Sequence, residues 1–132
     1  MICASVGEEV EVDSSKKVLP IHLTYGTDPT TVRFRWSVKR SLEECLKLHN
    51  ELSADAKDGY PHEWSGDSKE QIEVHLNRIF FFYSHQVWWK VPTLLTFMND
   101  DKVQDSCIAR IQVEILMNDV SPIFYHSIFH HD

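Results

Sequence analysis

The sequence predicts an α+β domain in which a three-stranded antiparallel sheet packs against a helical bundle. Three observations lead there. Between residues 31 and 40, apolar Val32, Phe34, Trp36 and Val38 alternate with polar Arg33, Arg35, Ser37 and Lys39, the period of a half-buried strand. From Ser41 the apolar period lengthens to that of a helix, and it recurs further along the chain. Strands come first and helices follow, which segregates the two layers.

The elements follow in order. Val6 to Val12 alternates weakly and is expected as the first strand, with Val18 to Tyr25, richer in branched and aromatic residues, as the second. Gly26-Thr27-Asp28-Pro29-Thr30 reads as a turn, so the second strand and Thr31–Arg40 should form a hairpin with a loop longer than two residues. Arg40 falls on the apolar parity, which aims its guanidinium at whatever covers that face. Ser41 and Glu44 have capping-box spacing, and Leu42, Cys45, Leu46, His49 and Leu52 share a stripe of a helix from about Leu42 to Ser53. A polar loop, Ala54 to Asp67, carries Gly59, Pro61, Trp64 and Gly66. Ser68 and Gln71 repeat the cap and open a helix with Ile72, Leu76, Ile79, Phe80 and Tyr83 on one face. Pro92 suits the start of a short helix, Thr93 to Met98. In the tail, Ile108, Ile111, Ile115 and Leu116 suit a helix, and Ile111, Val113 and Ile115 suit a strand; helix is the expectation.

With 132 residues, 42% hydrophobic, the chain is long enough for one domain over 1–132, with its core at about 6–99 and an extension over 100–132. The net charge of −7 argues against a general nucleic-acid binder and against attraction to anionic membranes by charge alone. An acidic ligand would need a local basic pocket. Cys3, Cys45 and Cys107 show no C-x-x-C spacing, and no N-x-S/T site is present, which favours free thiols in a reducing compartment. Met1 to Val12 lacks the pattern of a secretory leader, and the apolar window Ile79–Met98 is interrupted by His85, Gln86, Lys90 and Pro92. The expected location is cytoplasmic, with peripheral membrane association as an extension of that reading.

Little in the chain carries catalytic chemistry. Cys45 and His49 lie four apart, as a thiol and its base would, but no glycine-rich oxyanion turn accompanies them, and an inert buried cysteine beside a packed histidine is the expectation. His126, His130 and His131 have the spacing of a ligand pair, yet a metal site of fixed geometry needs three ligands. No catalytic residue, metal or cofactor is expected. Phe80-Phe81-Phe82-Tyr83 and Trp88-Trp89 cover more than one helical face, so one or two rings should stay partly exposed as a partner surface.

The tract Trp36-Ser37-Val38-Lys39-Arg40 leading to Leu48-His49-Asn50-Glu51-Leu52 resembles the phox-homology (PX) domain. In that family a strand ends in arginines and the next helix carries a leucine-histidine pair. Ile72-Glu73-Val74-His75-Leu76-Asn77-Arg78-Ile79 and Thr93-Leu94-Leu95-Thr96-Phe97-Met98 resemble two later PX helices, so the resemblance covers roughly residues 6–99. It implies a PX-like fold and a non-enzymatic, phosphoinositide-binding, membrane-targeting module. The chain departs from the family's binding pattern. Ser41 stands where an arginine would hold the 3-phosphate, Leu42 where an aromatic would stack on the inositol, and Ser68 at a further arginine position. A serine cannot replace the charge-assisted, bidentate bonds of an arginine. The implied lipid pocket is therefore altered and weak, with Arg40, Lys39 and Lys69 as its cations and Trp64 as the residue dipping into the headgroups. Lys69 is preferred over Arg78 because it lies in a first helical turn, where backbone N–H groups add positive potential. The competing reading is a protein–protein interaction scaffold that has lost lipid binding.

Overall fold

In a computed structural model of the chain, residues 1–13, 15–28, 30–55, 58–85, 88–99 and 107–119 are described. The strands are β1 (Ile2–Val6), β2 (Val10–Val12), β3 (Lys16–Asp28) and β4 (Thr31–Arg40). The helices are α1 (Leu42–Asp55), α2 (Lys69–Ser84), α3 (Pro92–Met98) and α4 (Cys107–Asp119), with a 3-10 turn at Trp88–Lys90. Strands precede helices and every strand pairing is antiparallel, so the fold class is α+β.

The strand count is four rather than three. The expected first strand, Val6–Val12, is instead two short strands. β1 pairs with residues 21–25 of β3 and β2 with residues 16–18, with the register displaced by one residue between them. The Gly7 N–H still reaches the Pro20 carbonyl at 2.8 Å, and a Cβ at Gly7 would sit 2.8 Å from the Pro20 ring. Alternation picks out the polar half of this broken strand and misses Ile2 and Ala4, whose side chains are buried.

The hairpin is also tighter than expected. Asp28 pairs with Thr31, and the register slips at Gly26 instead of ending there. Glycine tolerates such a bulge, so the strand continues past the predicted turn. β4 keeps its alternation, with Val38 buried, Phe34 and Trp36 half-buried, and Arg33, Arg35, Ser37 and Lys39 exposed.

Ser41 caps α1 as a capping box: its Oγ accepts from the Glu44 N–H at 3.1 Å, and the Glu44 carboxylate accepts from the Ser41 N–H at 3.0 Å. The buried stripe of α1 is Cys45, Leu48, His49 and Leu52, while Leu42 and Leu46 face outward. The stripe is thus rotated by part of a turn from the expected one. In α2 the buried face is Ile72, His75, Leu76, Ile79, Phe80 and Tyr83. Ser68 caps the Gln71 N–H, but the Gln71 side chain turns to the Asp67 N–H rather than closing the box on Ser68.

Helix α2 lies against β1 and shields it. Asn77 accepts from the Ala4 N–H at 2.8 Å and donates to the Ala4 carbonyl at 2.9 Å, and Glu73 accepts from the Val6 N–H at 2.7 Å. These side chains stand where another strand would pair, which closes an edge otherwise open to association. Helix α4 packs along β4, with Arg33 bridged to Glu114 at 3.0 Å and the Arg110 guanidinium over the Phe34 ring. The tail is helical over Cys107–Asp119, as expected for its apolar spacing; His126, His130 and His131 lie outside the described residues. No helix among the described residues is long and apolar enough to cross a membrane.

Candidate functional site

Arg40 does reach the face that its parity implied. Its Nε donates to the Phe97 carbonyl at 2.9 Å, and Nη2 donates to the carbonyls of Asn99 at 2.8 Å and Thr96 at 3.3 Å. Nη1 donates to the Lys39 carbonyl at 2.9 Å. Trp36, on the same face of β4, donates its indole N–H to the Met98 carbonyl at 2.7 Å. Four successive carbonyls at the end of α3 are thus met by two side chains of β4. A cation at a helix C-terminus is favoured by the helix dipole and by the unpaired carbonyls there. Arg40 also lines a cleft of about 430 Å³ with Glu44, Lys47, Glu51 and Thr96. There Arg40 and Lys47 face two carboxylates, so the cleft has no net positive charge to offer a phosphate.

The other proposed lipid residues do not line that cleft. Lys39 is exposed on β4, where it pairs with Pro20. Lys69 forms an ion pair with Glu8 at 2.8 Å, and this bond raises its pKa. Trp64 is half-buried: its ring lies 5.2 Å from the His49 ring and 4.7 Å, edge-on, from the His75 ring. The corner holding Ser41 and Leu42 is a pocket of about 350 Å³ lined also by Lys16, Lys17, Glu9 and Glu43. Its two lysines face two carboxylates.

The groups that the structure does bring together are histidines. His49 and His75 are 4% and 3% exposed, and His75 Nε2 lies 2.8 Å from His49 Nδ1. His49 Nε2 lies 3.1 Å from the His62 carbonyl, which can only accept, so this nitrogen carries the hydrogen. Neutral His49 then has a bare Nδ1, and His75 Nε2 must donate to it. The Tyr60 hydroxyl approaches the same Nδ1 at 3.5 Å, and Ser53 Oγ holds His62 Nδ1 at 2.7 Å. Burial lowers both histidine pKa values, and for His75 the adjacent His49 and Arg78 add to it, bringing it from 6.5 to about 4. The sequence marks His49 as a packed histidine but gives no sign of its partner. His75 lies on the buried stripe of α2, one residue before Leu76, and that position is its only signal.

Cys45 is fully buried and its thiol is pushed up to about 12 by desolvation, so it carries no thiolate at neutral pH. Among the described residues no group of three or more His, Cys, Asp or Glu is placed to hold a metal ion.

A further concavity lies on α2. A groove of about 750 Å³ is lined by Gly59 and Pro61 of the loop and by Val74, Asn77, Arg78, Phe81, Phe82 and His85. Phe81 is 60% exposed and Val74 49% exposed, and they lie seven residues apart on one helical face with Arg78 between them. Glu73 and Asn77, also in the lining, are committed to β1. Gly59 has a φ of +96°, a left-handed conformation that favours glycine, and it turns the loop back along α2.

Comparison with family models, with curated proteins and with solved structures returns no match.

Proposed function

We propose that this chain is a PX-like, non-enzymatic docking module that binds a peptide segment of a partner protein in the groove on α2. The observation that carries this is the pair Val74 and Phe81. Two large apolar side chains stay exposed over a concavity of about 750 Å³, while Ile72, Leu76, Ile79, Phe80 and Tyr83 of the same helix are buried. Concave apolar sites with a few placed polar groups are the usual form of a binding pocket. The fitting peptide sets two apolar side chains over Val74 and Phe81 and places a carboxylate against Arg78. A large exposed apolar pair costs solubility unless a partner covers it, which is why such patches mark interaction surfaces.

The test is selection of phage-displayed peptides on the folded domain. Enriched peptides should combine apolar residues with Asp or Glu and lose binding to Phe81→Asp. Peptides that bind wild type and Phe81→Asp equally would contradict the reading.

A second reading rests on the corner pocket, where Lys16 and Lys17 meet Ser41 and exposed Leu42. That is where the resemblance sets a phosphoinositide headgroup. Glu9 and Glu43 oppose the lysines there, so the contact is weak and sensitive to salt. Co-sedimentation with phosphatidylinositol 3-phosphate liposomes at two salt concentrations separates this reading from the first.

A further inference from the structure

We infer that His49 and His75 form a proton-operated latch that holds residues 58–67 against α1 and α2, and that protonation of both rings releases this loop. The latch joins three parts of the chain. His49 comes from α1 and His75 from α2, and the loop attaches to them through the His62 carbonyl, the Tyr60 hydroxyl and the Trp64 ring. Ser53 of α1 holds the His62 ring as a further tie.

Hydrogen-bond direction gives the latch its threshold. One proton on His75 leaves its Nε2 donating to His49 Nδ1, so the bond survives with one buried charge. A second proton, on His49, turns its Nδ1 into a donor facing another donor at 2.8 Å. Two buried cations then sit with ring centroids 4.6 Å apart. The charged and titratable groups around them give no relief. Arg78 from α2 adds positive charge, His62 from the loop adds another when protonated, and Tyr60 is neutral, its pKa raised by burial and by Tyr83. None of the hydrogen-bond partners of the two rings is a carboxylate. The rings must part, and Trp64 loses the surface on which it packs.

The released loop includes Gly59 and Pro61, which wall the groove on α2, so acid also opens that groove. This consequence rests on the proposed docking function; the latch itself does not.

Fluorine NMR of the full chain labelled with 5-fluorotryptophan reads the latch with no peptide present. On acidification from about pH 7.5 to about pH 3, the Trp64 resonance should move to its solvent-exposed position while those of Trp36 and Trp88 hold. The midpoint should fall between 6.5 and about 4. His75→Gln keeps an N–H donor toward His49 but cannot titrate, and it should abolish the transition at Trp64. If His75→Gln is unfolded at neutral pH, His75→Leu, which keeps an apolar surface under Trp64, takes its place with the same expectation. His22→Gln, on the exposed face of β3, should leave the wild-type transition in place. A Trp64 resonance that moves only together with Trp36 and Trp88, or an unchanged transition in the folded His75 variant, would overturn the proposal.

Discussion

The Nε of Arg40 donates to the Phe97 carbonyl at 2.9 Å, joining the last residue of β4 to the end of a helix 57 residues away. The same guanidinium stands 5.8 Å from the Phe97 ring and bonds the Thr96 and Asn99 carbonyls. An arginine at the end of β4 thus closes the end of α3. Its removal leaves several carbonyls unmet and uncovers the Phe97 ring. Arg40→Ala should destabilise the domain by about 2–4 kcal/mol, read as a lower midpoint in urea. Trp36→Phe, which removes one bond to Met98 and keeps most of the ring, should cost about 1–2 kcal/mol.

The shield over β1 gives a second expectation. Asn77→Leu leaves the Ala4 N–H and carbonyl without their partner at a partly buried position. The loss should be about 1–3 kcal/mol, and hydrogen exchange at Ala4 should rise more than at Leu23. Because the freed edge can pair with another chain, the variant should also self-associate more readily in light scattering.

Acid should weaken the fold through the histidine pair. Folded His75 binds its proton only near pH 4, whereas the unfolded chain binds it near 6.5. Between those values the unfolded state holds more protons, so stability falls as pH falls. The contribution is fully present above 6.5 and is lost by about pH 4, a change on the order of 3 kcal/mol. Urea midpoints across this range should show a slope that is reduced in His75→Gln.

Gly66 shows how tightly Trp64 is seated. A Cβ at residue 66 would collide with the Trp64 ring. Gly66→Ala therefore pushes the indole off His75, at a cost of about 1–3 kcal/mol. The near-ultraviolet circular dichroism of the aromatic cluster should change with it.

Much of the fold is legible in the sequence because burial follows period. β4, the stripe of α2 and the Ser41 cap can all be read from spacing, since each rests on contacts within a few residues. Ile2 and Ala4 escape such a reading because a strand broken at Gly7 shows no continuous alternation, and its pairing is set by β3 further along the chain. The candidate site is less legible. Parity aims Arg40 inward, but only the tertiary fold brings α3 beneath it. His75 pairs with His49 across 26 residues, and no local pattern signals a hydrogen bond between two histidines. The groove depends on Gly59 and Pro61 folding back along α2, a loop path that spacing cannot set.

The most direct test of the docking reading is a nitrogen-15 NMR titration of the folded domain, first with a selected acidic–apolar peptide and then with soluble phosphatidylinositol 3-phosphate. The account predicts that the peptide shifts the amides of Val74, Arg78 and Phe81, and that the lipid moves those near Lys16 and Leu42 weakly and only at low salt. Strong, saturable shifts around Arg40, Ser41 and Leu42 with the lipid, and none on α2 with the peptide, would contradict it.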